Sequence, residues 1–342
     1  MSETSLGIRV RDVLAIARTR DASDVHLEPS QPPIVRVDGV LERLAEHPVE
    51  AEELQAISDR VLDARARETL VQSGDVSVGL RAERLGALRA HFYRSDRGLT
   101  LALRLLRASV PPLNSLGLPP IVESFCEAAH GLVMFTGPTG CGKSTTMASA
   151  VDHINLHRAR RIISIEDPIE YRYESRRSLI TQREIGRDTC SLSAGIVGAL
   201  RSDPDVIVVG EMREGGAIEA ALNAAETGHL VFATLHTGDA AQTVDRVAGA
   251  FSGALGVQVR AQLAQSLVAV VTQRLVARKD GRGRRAIAEI LVATEAARNL
   301  IRESKTHHLR NVIATGREFG MLTFDQHRAE LQARGEVLPG VA

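Results

Sequence analysis

The sequence predicts an α/β protein in which a small α+β domain precedes a larger core built on a parallel sheet. In the second part of the chain, short apolar strands alternate with helical stretches, as they do in parallel sheets. Two proline pairs and a glycine interrupt the pattern at 107–120, and such a stretch favours an extended linker. We therefore predict an N-terminal domain over 1–107, a linker over 108–116 and a core over 117–342 that ends in a helical region.

The N-terminal part carries the periodicities of both helices and paired strands. Residues 8–20 and 51–72 place apolar and charged residues at helical spacing. Residues 33–44 contain two apolar runs around an Asp-Gly pair, which is a strong signal for a two-residue hairpin turn. Residues 86–106 predict two further strands around a turn. Together these elements predict a compact α+β domain.

Composition and charge argue against several classes of function. Lys plus Arg and Asp plus Glu both number 42, so the chain lacks the general basic excess of many nucleic-acid-binding proteins. Aromatic residues make up 3%, which leaves few side chains to stack on bases. The 3 cysteines are widely separated and form no CxxC pair, so a zinc site or a disulfide framework is not expected. We predict neither zinc nor nucleic acid as a partner.

The sequence also bears on location. Its apolar runs are far shorter than the roughly 20 residues that a membrane helix needs. The first residues are charged and lack the apolar centre of a signal peptide. Unpaired cysteines are typical of a reducing compartment. We therefore expect a soluble, cytoplasmic protein that is able to associate with a membrane complex.

Four apolar strands of the core each run into residues capable of chemistry. In chain order the strands and the segments that follow them are LVMF and TGPTGCGKS, IISI and EDPIE, VIVV and GEMRE, and LVFAT and LHT. Open parallel sheets bind ligands beyond the carboxyl ends of their strands. The fourfold repetition of this pattern predicts a single active edge.

The segment after the first strand matches the phosphate-binding pattern G-x-x-x-x-G-K-[ST] at every fixed position. Glycines let backbone N–H groups surround phosphate oxygens, and the following helix adds a favourable dipole. We expect Lys143 to reach the β- and γ-phosphates of a bound nucleotide and Ser144 to coordinate Mg²⁺. The predicted nucleotide-binding residues are Gly137, Pro138, Thr139, Gly140, Cys141, Gly142, Lys143, Ser144 and Thr145.

Carboxylates follow the second and third strands. Hydrolysis of a phosphoanhydride needs a carboxylate near Mg²⁺ and a group that activates water. We predict Glu166 as the general base and Glu211 as the residue that polarises the water or contacts Mg²⁺ through water, although sequence alone allows the two roles to be exchanged. Without the phosphate-binding loop, helix capping or pairing with arginines would be the better explanation for the acids of EDPIE, and the loop reverses that preference.

Two histidines flank the fourth strand. His236 lies at its carboxyl end, and we interpret it as a sensor of the γ-phosphate or a coupling residue. His229 lies at the start of the strand, where a structural role explains it as well as a catalytic one. Both are candidate catalytic residues.

In order and spacing, these motifs resemble those of the type II/type IV secretion ATPase superfamily. The corresponding motifs are a Walker A GPTGCGKSTT, an aspartate box IEDPIEY, a Walker B RSDPDVIVVGEMRE and a histidine box AAETGHLVFATLHT. Within the superfamily, the histidine box and residues 296–326 resemble the type IV pilus retraction ATPases. The resemblance covers about residues 22–337.

This resemblance implies a RecA-like P-loop NTPase core with an N-terminal PAS-like domain. It also implies a ring of six identical subunits, ATP and Mg²⁺ as cofactors, and an inner-membrane platform protein as the partner at the cytoplasmic face of that membrane. Arg89 and Arg104 match the positions from which similar proteins direct arginines to the phosphates. The alternative for such arginines is an exposed strand face, which we prefer for Arg94 and Arg97.

Some features depart from the retraction ATPases. The segment ASDVHLEP, 22–29, is more similar to pilus assembly and type II secretion ATPases, and Ala297 stands where retraction ATPases usually have isoleucine. Assembly ATPases usually carry four zinc-binding cysteines that this sequence lacks. We predict a hexameric Mg-ATP-hydrolysing motor of pilus retraction, which powers twitching motility. Pilus assembly, type II secretion and DNA uptake are alternatives, and a nucleic-acid motor or a non-hydrolysing subunit is less favoured.

Overall fold

The computed structural model describes residues 8–45, 47–82, 86–105, 109–281 and 283–338. The chain forms two compact units that divide between Ser109 and Val110. The predicted boundary at 107 lies outside the described residues, and part of the predicted linker forms a short 3₁₀ turn, Leu113–Leu116. None of the helices in the described ranges combines the length and the apolar character needed to span a bilayer.

The first unit packs helices against an antiparallel sheet. Its elements are α1 (Ile8–Thr19), β1 (Asp24–Leu27), β2 (Ile34–Val37), β3 (Val40–Arg43), α2 (Ala51–Val61), α3 (Ala64–Ser73), β4 (Asp75–Ala82), β5 (Gly86–Ser95) and β6 (Gly98–Leu105). The strand order is β3-β2-β1-β6-β5-β4. Alternate residues of the central strands, among them Val25, Leu88, Phe92 and Leu103, are fully buried and form the core of this unit. The period of two is the one expected for a sheet with one covered face.

The predicted hairpin at 33–44 is present. Asp38 and Gly39 form its turn with φ of 47° and 89°, as a two-residue turn with positive φ at both positions requires. The helical structure predicted over 51–72 is present as two helices, because α2 ends at Val61 and α3 begins at Ala64. Asp63 separates them, and its carboxylate accepts a hydrogen bond from the backbone N–H of Ala66 at 2.8 Å. An aspartate that caps a new helix explains the break.

The second unit is an α/β layer structure. Its elements are α4 (Ile121–Phe125), β7 (Gly131–Thr136), α5 (Lys143–His157), β8 (Arg161–Glu166), β9 (Leu179–Glu184), α6 (Leu192–Ala199), β10 (Val206–Val209), α7 (Gly215–Glu226), β11 (Leu230–Leu235), α8 (Ala240–Ala248), α9 (Gly253–Ser266), β12 (Leu267–Ala277), β13 (Arg284–Val292), α10 (Glu295–Arg302), α11 (Leu309–Thr315) and α12 (Phe324–Ala333). Two separate apolar clusters on the sheet show that helices cover both of its faces.

The sheet of this unit aligns the four strands predicted from sequence. In the described parts of the chain it has seven strands, in the order β13-β12-β7-β11-β10-β8-β9. Within this order, all neighbouring pairs from β12 to β9 are parallel. Strand β13 pairs with β12 in the antiparallel direction. All residues of β7, β10 and β11 are buried, which explains their continuous apolar sequences. The predicted α/β core with a parallel sheet is confirmed.

Candidate nucleotide-binding and hydrolysis site

The glycine-rich loop turns where a side chain would not fit. After β7, a Cβ added to Gly137 would lie 2.3 Å from the carbonyl oxygen of Gln273 on β12 and 2.6 Å from the Cys141 sulfur. Gly142, directly before α5, has φ of 95°, which side-chain-bearing residues rarely adopt. The loop therefore enters α5 with its backbone close to the sheet, and Lys143 becomes the first residue of the helix.

Lys143 is held inside this loop. Its ammonium donates to the carbonyl oxygens of Gly137 at 2.8 Å and Pro138 at 2.9 Å, and lies 3.1 Å from Nδ1 of His236. The residue is 7% exposed. Burial lowers the pKa of Lys143, and the nearby Cys141 and Glu211 partly oppose the effect. A positive charge is thus fixed at the point where the motif places phosphate oxygens.

The other residues of the motif lie around the lysine. Pro138, Thr139 and Gly140 form an exposed bend, whereas Cys141 is buried and burial raises the pKa of its thiol. The Ser144 side chain is half-buried in the first turn of α5. The hydroxyl of Thr145 lies 2.8 Å from that of Tyr171, which joins the helix to the segment after β8.

Glu211 follows β10 and lies between the guanidinium of Arg213 and the imidazole of His236. Its Oε1 lies 3.0 Å from Nε2 of His236. Arg213 donates to both oxygens, from Nε to Oε1 and from Nη2 to Oε2, each at 2.8 Å. Burial acts to raise the pKa of Glu211, but the hydrogen bonds and charges of Arg213 and His236 outweigh it and leave the pKa lowered. Glu211 is therefore firmly ionised at neutral pH.

Glu166 has a contrasting environment at the end of β8. Its side chain is buried, with 8% of the residue exposed. Its Oε1 accepts hydrogen bonds from Ser164 Oγ at 2.7 Å and from Gln182 Nε2 at 3.2 Å. Burial raises the pKa of Glu166, against the opposing effect of these hydrogen bonds. A buried carboxylate with a raised pKa is suited to accept a proton.

The strand order explains how these groups meet. Along the active edge the strands run β7, β11, β10 and β8. Lys143, His236 and Glu211 follow the first three of these strands in the same order, and Glu166 is the last residue of β8. Neighbouring strands are about 5 Å apart, so side chains from adjacent strands reach each other. His236 consequently bridges Lys143 and Glu211.

One predicted site residue of the second unit, His229, lies at the other end of the sheet. Nδ1 of His229, at the amino end of β11, is 2.9 Å from the carbonyl oxygen of Ala224 at the end of α7. Arg89 and Arg104 belong to the first unit, where they face each other across β5 and β6. Arg104 Nε donates to Asp24 at 2.9 Å. The structure thus does not place His229 beside the glycine-rich loop.

Sequence analysis missed Arg213 and Gln182 as contributors to the site. Arg213 stands two residues after Glu211, which was a usable signal, because residues two apart in extended chain share a face. Gln182 lies on β9, a strand that the sequence did not predict. Its residues are mostly polar and half-exposed, so no apolar run marked it.

The family model described as type II/IV secretion system protein matches residues 3–332. The chain belongs to this family. Among its members, the type IV pilus retraction ATPase PilT of Pseudomonas aeruginosa is 39% identical over 326 residues, which span 95% of this chain and 94% of that protein. A twitching motility protein of Neisseria gonorrhoeae is 41% identical over 310 residues, or 91% of this chain and 83% of that protein.

A solved member of the type II/IV secretion system family has the same fold. The crystal structure of the pilus retraction motor PilT with bound ADP superposes with a TM-score of 0.86 at 38% identity and covers 96% of this chain and 94% of that one. The complete phosphate-binding motif and this likeness make the chain a P-loop ATPase of the family.

Proposed function

We propose that this chain is the Mg-ATP-hydrolysing motor of type IV pilus retraction. The observation that carries the proposal is the row of Lys143, His236 and Glu211, joined by contacts of 3.1 and 3.0 Å, with buried Glu166 on the next strand. This row supplies a phosphate-binding cation, a coupling group and two carboxylates. Relatives named for pilus retraction and twitching motility support pilus retraction as the process that this ATPase drives.

The donor set of the loop fits a magnesium ion bound with ATP. Mg²⁺ takes oxygen ligands and usually combines one or two protein groups with substrate phosphates and water. The Ser144 hydroxyl is proposed to contact it directly, and the Glu211 carboxylate through water. When bound, the ion neutralises charge on the phosphates.

The two carboxylates divide the chemistry between them. Their environments push the pKa of Glu166 up and the pKa of Glu211 down. Such separation is the usual sign of distinct acid–base roles. Glu166 is the proposed general base that takes the proton of the attacking water. Glu211, ionised and paired with Arg213, orients the water or the metal shell, and His236 couples it to Lys143.

Arg89 and Arg104 are proposed to supply positive charge to the phosphates. They lie directly opposite each other on one face of the antiparallel sheet. Like charges in such a pair repel, and an anion between or beside them relieves the repulsion. Asp24 engages Arg104, which leaves the pair with a net positive charge.

Replacing Arg89 by alanine is expected to lower ATP turnover by at least tenfold and to leave the fold intact, because the side chain is not part of the apolar core. Steady-state ATPase assays and circular dichroism measure the two effects. Arg97→Ala, in the exposed turn between β5 and β6, is the matched control. Parent-like turnover of the Arg89 variant would remove this arginine from the proposed mechanism.

One C-terminal departure from the retraction ATPases lies in the apolar core of the second unit. Ala297, the departure from the usual isoleucine, is fully buried together with Ile301. The alanine therefore changes the packing beneath α10 and leaves the exposed face of this helix unaltered. We propose that this chain acts as a homohexamer on an inner-membrane platform protein, at the cytoplasmic face of that membrane, without zinc or nucleic acid.

Deleting the gene tests the task directly. A retraction motor predicts excess surface pili by electron microscopy and loss of twitching, restored by the parent gene but not by a gene encoding Glu211→Gln. Cells without pili would instead indicate pilus assembly, the function favoured by the segment at 22–29. Unchanged pili and twitching would point to another machine of the family.

A further inference from the structure

Gln182 is a polar residue inside the site that the catalytic assignment leaves unused. It lies on β9, opposite Ser164 of β8 in the parallel register. Ser164 and Glu166 are two residues apart on β8, so their side chains share one face of the sheet. The register therefore brings Gln182 and Ser164 to the same carboxylate from two strands.

The hydrogen bonds of Gln182 fix the orientation of its amide. Its nitrogen donates to Glu166 Oε1 at 3.2 Å and to the carbonyl oxygen of Tyr171 at 2.7 Å. Its oxygen accepts from the backbone N–H of Tyr173 at 3.1 Å. A flipped amide would set oxygen against two acceptors and nitrogen against a donor, so only one orientation satisfies all three contacts.

We propose that Gln182 is a positioning residue that holds the Glu166 carboxylate in the orientation needed to take a proton from water. The inference rests on the proposed role of Glu166. With Ser164 and Gln182 both directed at Oε1, the carboxylate cannot rotate without losing two hydrogen bonds. Gln182 also ties this orientation to the segment around Tyr171, whose hydroxyl lies 2.8 Å from that of Thr145 on α5.

The charged and titratable surroundings of Glu166 give the direction of the expected effect. The Glu170 carboxylate acts to raise the pKa of Glu166, and its backbone N–H acts to lower it. The Tyr173 phenol nearby belongs to a partly buried residue, and burial raises its pKa well above the ordinary value, so it stays neutral. A hydrogen bond from Gln182 stabilises the ionised carboxylate. Removing this donor therefore raises the pKa of Glu166, and the base is protonated over a wider acidic range.

Two substitutions separate positioning from folding. Gln182→Glu keeps an oxygen for the Tyr173 N–H but replaces the donor with a second carboxylate. Gln182→Met keeps the length of the side chain and removes all polar contacts. For both variants we expect kcat at neutral pH to fall by about tenfold and the acidic limb of the kcat–pH profile to move up by about one pH unit, more for the glutamate. The Kd for ATP measured in parallel is expected to stay within twofold of the parent value.

The matched control is Gln262→Met on α9. Gln262 also donates to a carboxylate, that of Glu226 at 2.9 Å, but lies outside the site. The kcat–pH profile of the Gln262→Met protein is expected to match that of the parent. An unmoved acidic limb in folded Gln182→Glu or Gln182→Met would overturn the inference, whether or not activity falls. Parent-like activity of Glu166→Gln would instead overturn the proposed base, so the two failures are distinguishable.

Discussion

Replacing Lys143 by alanine is expected to lower ATP turnover by about 10³-fold. Lys143 supplies the buried positive charge of the glycine-rich loop, and charge stabilisation of this kind is worth several kcal/mol in a transition state. Steady-state release of phosphate at saturating Mg-ATP measures the effect. The Kd for ATP is also expected to rise, because the ammonium meets the phosphates in the ground state as well.

The control for this variant is Lys279→Ala, which removes an exposed lysine of the same unit. Its turnover is expected to equal that of the parent. The Lys143→Ala protein is expected to fold, because burial of an ammonium group costs free energy and alanine has no charge to bury. Normal hydrolysis by a folded Lys143→Ala protein would mean that the glycine-rich loop does not bind the reacting phosphates.

Replacing Glu166 by glutamine is expected to lower kcat by about 10²- to 10⁴-fold, the usual range for a general base. The amide keeps the size of the side chain and an oxygen to accept from Ser164, so the Kd for ATP is expected to change little. Single-turnover hydrolysis separates the chemical step from product release. Glu226→Gln, on α7 and outside the site, is the control for loss of a carboxylate.

Glu211→Gln distinguishes the two proposed roles. If Glu166 is the base, Glu211→Gln weakens the binding of Mg²⁺, so that half-maximal activity needs a higher Mg²⁺ concentration, but the pH profile of the residual activity keeps an acidic limb. If the roles are exchanged, Glu211→Gln loses that limb and Glu166→Gln keeps it. The second result would contradict the assignment made from the opposite directions of the two pKa shifts.

Sequence reasoning located the phosphate-binding loop and its neighbours because they are governed by local rules. Apolar strands buried on both faces have continuous apolar sequences, and ligands gather at their carboxyl ends. These two rules predict that Lys143, Glu166, Glu211 and His236 lie at one edge of the sheet. The structure confirms the parallel strand alignment that brings Lys143, His236 and Glu211 into contact.

What sequence reasoning missed depends on contacts between distant segments. The sequence alone does not assign the roles of general base and metal-binding carboxylate to the two acids. The burial of Glu166 and the two hydrogen bonds from Arg213 to Glu211 arise only in the folded chain. Strand β9 was missed because most of its residues are polar, so that neither an apolar run nor an alternation of apolar and polar residues marks it in the sequence. The break between α2 and α3 was overlooked because the helical periodicity continued across Asp63.

The polar character of β9 has a consequence for solubility. Within the described residues this strand is the last of its sheet, and a terminal strand is a template on which other chains aggregate. Gln182 and Glu184 accept hydrogen bonds from the backbone N–H groups of Tyr173 and Ile169, which fastens the preceding segment to this strand. The polar and charged side chains of this edge strand disfavour pairing with other chains. Gln182, which donates to Glu166, thus also helps to anchor the segment before β9, so one side chain serves both the carboxylate and the edge of the sheet.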